Sequence, residues 1–218
     1  MEHETTQVED AADRQFFPGI LPGPVCWETV FGNQNPLELE LGFGRPHYIL
    51  ERAVERPNRN IVGIEWKARW VKVANKRKMK QDLKNVCALH GNAWHLLGSL
   101  FQDPVLKTVF LNFPDPWWKS KHRKRRLMNP VFVDLLATRL QDGGQILVQT
   151  DVASLLEEIL ESLEAHENLV NVNGLGRLCP RKPTQASSHR EKRCQQEGIP
   201  IFRALVQKTD KNRESLTA

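Results

Sequence analysis

Residues 113–126 read Phe-Pro-Asp-Pro-Trp-Trp-Lys-Ser-Lys-His-Arg-Lys-Arg-Arg, directly after the apolar run Val109-Phe110-Leu111-Asn112. One carboxylate, Asp115, stands between two prolines that stiffen the chain around it. Two indoles, Trp117 and Trp118, follow, and then the cations Lys119, Lys121, Arg123, Lys124, Arg125 and Arg126. Indoles stack on bases and Lys/Arg groups hold phosphates. An acid at the end of a buried strand, beside both, suits chemistry on a nucleic-acid base, and the reading expects that acid to be buried. The bland alternative is a solvated charge run with one tryptophan in the core.

A second set of residues suits an adenosine-containing ligand. Glu40-Leu-Gly-Phe-Gly44 closes a short alternating run, Leu37–Leu41. Gly42 and Gly44 let the backbone approach a ligand closely. Glu65 ends the next apolar run, where an acid accepts from both hydroxyls of a ribose. Asn92, after Gly91, is placed to meet an adenine edge. A dinucleotide fingerprint needs a third glycine at position 47, which is His. Glu40 would repel a pyrophosphate but attract the cationic amino-acid end of S-adenosylmethionine. These features favour S-adenosylmethionine over a nicotinamide cofactor. The alternative is a plain tight turn with Glu65 as a surface acid.

The elements that position these residues alternate. Strands are expected at 37–41, 61–64, 86–89, 108–113 and 145–149, the last entered through a turn at Gly143-Gly144. Helices are expected at 47–55, 67–80, 96–101, 130–140 and 151–166, with Trp66, Trp70, Val73 and Ala74 on the apolar side of the second. Asn129 has the side chain of a helix N-cap. Two final strands, 169–172 and 199–206, flank a polar, basic excursion. Residues 16–36, rich in proline and glycine, read as an extended wrapping segment. Such alternation specifies an α/β fold with a mainly parallel sheet, helices on both faces and an antiparallel final strand. Ligands of such sheets bind beyond the carboxyl ends of the strands, where Gly42, Gly44, Glu65, Asn92, Asp115 and Asp151 all fall.

The 218 residues suit one domain with a full core. The reading divides them into a flexible arm at 1–30, the main domain at 31–208 and a polar tail at 209–218. The net charge of +5 is unevenly spread. Residues 1–13 are acidic, whereas 67–84, 119–126 and 177–193 are basic, which favours a polyanionic partner. Cys26, Cys87, Cys179 and Cys194 form no C-x-x-C pair and have no histidine at zinc-finger spacing, so no metal is expected. Without a signal peptide or a long apolar run, a soluble cytoplasmic protein with no membrane contact is expected, as monomer or homodimer.

Gly42-x-Gly44, Gly63-Ile-Glu65, Phe113-Pro-Asp-Pro-Trp117 with Lys119 and its basic tail, and Thr150-Asp151 resemble the bacterial tRNA (guanine-N7)-methyltransferase family over roughly residues 25–207. The resemblance implies a Rossmann-like class I methyltransferase, S-adenosylmethionine as methyl donor and transfer to N7 of a guanine in the tRNA variable region. It places Glu40, Glu65, Asn92 and Asp115 at the cofactor and makes Asp115 catalytic. It places Lys119, Asp151 and the stretch Ser188, His189, Arg190 and Glu191 at the substrate. The chain departs from the family pattern at Asn92, usually Asp, at Pro46, where a third glycine is common, and at Arg190, usually aromatic. These departures keep open a catalytically weak or inactive tRNA-binding homologue, and a methyltransferase acting on another RNA.

Overall fold

The computed structural model describes residues 23–101, 104–116 and 127–209. The described strands pair mostly in parallel, with antiparallel pairing at the last of them. The described residues fall into two compact units, one made of residues up to 101 with 184–189, the other of residues from 104 to 183 with 190–209.

In the first unit, β1 (Leu37–Leu41), β2 (Asn60–Glu65) and β3 (Val86–His90) are parallel neighbours, with Leu41 opposite Ile64 and Glu65 opposite His90. Every residue of β1 and β2 is buried, as expected of parallel strands covered on both faces. The Leu-Glu alternation of β1 therefore does not separate a core face from a wet one. Glu38, 1% exposed, is neutralised by a two-pronged ion pair with Arg52, at 2.7 and 2.8 Å. Burial would lower the Arg52 guanidinium, but the bonds and charge of Glu38 hold it above its ordinary value.

Helix α2 (His47–Glu55) follows the glycine turn, α3 (Ala68–Lys80) follows β2, and α4 (Ala93–Leu100) follows β3. Ile49, Leu50 and Ala53 of α2 pack with Val71 and Ala74 of α3 over Ile61, Val86 and Ala88. Gly63 lies beneath this layer. A Cβ there would come within 2.7 Å of the Phe43 ring, so the glycine of Gly-Ile-Glu makes room for the glycine turn's own phenylalanine. Trp66, expected on the apolar side of α3, is instead 67% exposed, and Val71 takes the core position. The reason is phase: α3 starts at Ala68, so Trp66 precedes the helix and its periodicity.

The segment at 16–36 was expected to be extended, but its described part contains a short helix, α1 (Trp27–Phe31). Trp27 stacks on Phe101 with ring centres 4.7 Å apart, and Gly32 ends the helix in the left-handed conformation. An apolar anchor at the helix start outweighs the weak local propensity.

In the second unit, β4 (Leu106–Asn112) runs parallel to β5 (Leu140–Thr150), which pairs antiparallel with β7 (Phe202–Lys208). β6 (Leu169–Asn171) pairs antiparallel with β7. Helix α5 (Pro130–Arg139) has Pro130 in its first turn, and Asn129 caps it by accepting from the Phe132 N–H at 3.1 Å. β5 starts at Leu140, ahead of the expected glycine turn, and its pairing with β4 shifts register between Leu106 and Thr108. Helix α6 (Ala153–Glu164) buries Leu155, Leu156, Ile159, Leu160 and Leu163. The basic excursion before β7 contains an unexpected helix, α7 (His189–Glu197). It buries only Glu191 and Cys194, so no apolar stripe announces it. Among the described residues, no helix is long and apolar enough to cross a membrane.

Candidate active site

The first unit assembles the residues read as cofactor contacts at the carboxyl ends of β1, β2 and β3. Gly42 and Gly44 have φ of +70° and +53°, a conformation that side chains resist. Nothing lies within 4 Å of where either Cβ would be, so the turn presents bare backbone to open space. Glu65 ties this turn to the next. One carboxylate oxygen accepts the Gly44 N–H at 2.8 Å and the other the Lys67 N–H at 2.7 Å. The side chain is only 7% exposed, yet each oxygen keeps a second lone pair for a ligand hydroxyl. Glu40, 1% exposed, lies near the end of β1. Asn92 has a structural duty: its side-chain oxygen caps α4 by accepting the Trp94 N–H at 2.9 Å. Asn92 is exposed, and its amide NH2 adds donors that the aspartate implied by the resemblance would lack.

Residues 184–189 complete this unit and are hooked to α2 by two carboxylates. Glu55 accepts the Gln185 and Ala186 N–H groups at 3.2 and 3.1 Å, and Glu51 accepts the Ser187 N–H at 2.9 Å. Burial would raise the Glu55 carboxyl, but these N–H groups and Arg52 bring it below its ordinary value. Tyr48 reaches the same segment, its hydroxyl donating to the Thr184 Oγ1 at 3.4 Å. Burial pushes the Tyr48 phenol well up, so it stays a neutral donor. Ser188 is buried by this arrangement, and the His189 ring contacts the Arg45 guanidinium.

The second unit carries the proposed catalytic acid. Phe113, just past β4, has φ of +51°, rare for a non-glycine residue and rarer ahead of a proline. Its N–H donates to the Gln149 carbonyl at 2.7 Å, which holds the corner. Strain of this kind is kept where a neighbouring group must be aimed. Two residues on, Asp115 lines a cleft of about 80 Å³ together with Leu111, Pro114, Met128, Leu155 and Ile159. Asp115 was expected to be buried and is exposed, because the Pro-Asp-Pro corner lifts it beyond the end of β4.

Asp151, just past β5, is paired with Arg190. Glu191 is wholly buried at the centre of a polar network. Lys182 reaches it at 2.9 Å, Arg203 at 3.1 Å and the Gln149 amide at 3.1 Å, while Arg203 also donates to Gln149. The second basic arm read from the sequence is thus partly committed to the protein's own carboxylates. Lys182, Arg190 and Arg193 have carboxylate partners in Glu191, Asp151 and Glu197. Sequence reasoning missed Arg203 and Gln149, which lie one residue inside the ends of β7 and β5 and carry no motif. Trp117, Trp118, Lys119, Lys121, Arg123, Lys124, Arg125 and Arg126 lie outside the described residues.

Comparison with known proteins adds the chemistry that the geometry alone leaves general. The profile of a family described as "Putative methyltransferase" matches residues 34–204. A tRNA (guanine-N(7)-)-methyltransferase of Myxococcus xanthus is 33% identical over 202 residues, covering 88% of this chain and 98% of its own. One from Thermosynechococcus vestitus is 32% identical over 194 residues, covering 87% and 88%. Among solved structures, the 16S rRNA methyltransferase KamB superposes with a TM-score of 0.59 at 14% identity, over 90% of this chain and all of its own. A precorrin-6y C5,15-methyltransferase of Geobacter metallireducens gives 0.53 at 19% identity, over 80% of each chain. Those two likenesses establish the methyltransferase fold, seven strands with an antiparallel end. The identity to the curated relatives, sustained across nearly their whole length, makes this chain a member of the tRNA (guanine-N7)-methyltransferase family.

Proposed function

We propose that the protein transfers a methyl group from S-adenosylmethionine to N7 of a guanine in tRNA. The observation that carries this reading is the Glu65 clasp: a strand-end carboxylate held by the Gly44 and Lys67 N–H groups over a turn of bare backbone. That arrangement suits a ribose diol beside a close-approaching adenosyl group, so the residues fit the cofactor. When bound, S-adenosylmethionine supplies an electrophilic methyl group on a cationic sulfur. Glu65 accepts from the ribose hydroxyls, Gly42 and Gly44 leave room at the backbone, Glu40 balances the cationic amino-acid end and Asn92 meets the adenine edge.

Guanine N7 carries an in-plane lone pair and no proton, so no general base is needed. Positive charge passes from sulfur to purine, and the protein's task is alignment plus negative charge where the purine becomes cationic. Asp115 takes that role, accepting from the guanine N–H groups. Asp151 with Arg190, and Ser188 and His189 at the start of α7, contact the substrate, while Glu191 fixes the first turn of α7 from its buried network. Lys119 and the cations 121–126 hold phosphates.

Transfer of labelled methyl to unmodified tRNA, followed by identification of the modified nucleoside, tests the reading. The expected product is 7-methylguanosine at one position of the variable region. Label in another nucleoside or only in other RNAs would overturn it.

A further inference from the structure

The first unit holds a cationic cavity that, apart from His189 in its lining, the methyl-transfer chemistry does not use. It is about 380 Å³ and is lined by Arg45, His47, Trp70, Arg77 and His189, among others. That volume falls in the usual range for a small-ligand pocket, roughly 300–1,000 Å³. Its lining includes two guanidinium and two imidazole groups and no carboxylate. The Arg45 guanidinium lies 5.6 Å from the Trp70 ring centre and that of Arg69 lies 4.8 Å from it. An indole that holds guanidinium groups by cation–π attraction fixes them at little entropic cost for an incoming anion. The His47 and His189 rings, also in the lining, sit 5.4 Å apart.

The cations continue past the cavity. Arg69, Lys72, Lys76 and Lys80 are exposed along α3 at spacings of three and four residues, which place them on one side of the helix. A lone phosphate would occupy the cavity and leave this row unused. A chain of phosphates with bases that stack on indole or guanidinium surfaces would use both.

The geometry points to this cavity as a second RNA-docking site, in which Arg45 and Arg77 clamp one phosphodiester of the tRNA, Trp70 supports an adjacent nucleotide and the α3 cations track the backbone beyond it. This rests on the reading of tRNA as substrate. His189 borders the cavity and begins α7, so an RNA strand docked here would reach the stretch read as contacting the target guanine.

The test is binding of fluorescently labelled unmodified tRNA over a series of KCl concentrations. Wild type is compared with Arg77→Gln, Arg77→Lys and the double variant Arg45→Gln/Arg77→Gln, with cofactor affinity and melting temperature measured on each. The slope of log affinity against log salt should fall in magnitude by about one for Arg77→Gln and about two for the double variant. The lysine variant should keep the wild-type slope, and cofactor affinity should be unchanged in both Arg77 single variants. Wild-type slopes in both glutamine variants would overturn the inference while leaving the methyltransferase reading intact, and would turn attention to an acidic protein segment as occupant. Failure of the wild-type protein to bind tRNA would overturn that reading and this inference together.

Discussion

Arg190 and Asp151, each read from the sequence as a separate substrate contact, are bound to each other across 39 positions of chain. The Asp151 bond raises the Arg190 guanidinium above its ordinary value despite partial burial. A guanidinium closed on a carboxylate is a poor ligand for a phosphate, so the pair must open or act as one unit. Arg190 is 41% exposed, so the pair contributes little to stability. In a double-mutant cycle with Asp151→Asn and Arg190→Gln on turnover at low tRNA, the double variant should lose little more than either single one. The coupling should be toward the low end of roughly 0.5–3 kcal/mol. Losses that simply add would show that the two side chains meet the substrate independently.

Asp115 is exposed beside a strained corner, and we propose that it faces the purine as that ring becomes cationic. Asp115→Asn keeps shape and removes charge. Turnover should fall by roughly a hundredfold or more while cofactor affinity changes little, the pattern of a group that acts in the transition state. Single-turnover kinetics beside calorimetric cofactor titration would separate the two. Equal losses in both would make Asp115 a binding residue alone.

Glu65 shows the opposite pattern. Its carboxylate is organised by Gly44 and Lys67 before any ligand arrives. Hydrogen bonds to a charged group contribute about 1.5–3 kcal/mol, so Glu65→Gln should weaken S-adenosylmethionine by roughly ten- to a hundredfold. tRNA affinity should stay near wild type. A cofactor dissociation constant that does not move would place the ribose elsewhere.

Glu191 is wholly buried between Lys182 and Arg203. Removing one member of a buried ionic group leaves the others uncompensated, at a cost of about 3–5 kcal/mol. Glu191→Ala should therefore unfold well below the wild-type denaturant midpoint. A substrate contact without structural duty would leave that midpoint in place and change only activity.

Glu55 predicts a pH dependence. Its carboxyl is held below the ordinary value of 4.5 in the folded protein. The folded state therefore binds fewer protons at this site than the unfolded one. The resulting stability is fully present above pH 4.5 and is lost as pH falls through the lower folded value. Glu55→Gln should remove this acid-side loss. It should also speed hydrogen exchange at the Gln185 and Ala186 amides at neutral pH, and unchanged exchange there would discount the clasp.

What was legible in the sequence was local. Alternating apolar runs and glycine turns disclosed five parallel-type strands and the helices between them, because periods of two and 3.6 are written into neighbouring residues. Gly42, Gly44, Glu65, Asn92, Asp115 and Asp151 could be placed at strand ends for the same reason. Tertiary structure alone decided the partners. Glu38 meets Arg52, Glu55 meets the 185–186 backbone, and Glu191 meets Lys182 and Arg203. It also decided that α7 is a helix without an apolar stripe, since buried charge pairing replaces hydrophobic periodicity there. A carboxylate in a linear sequence looks the same whether it faces water or a guanidinium, because charge pairing depends on distance through space rather than along the chain.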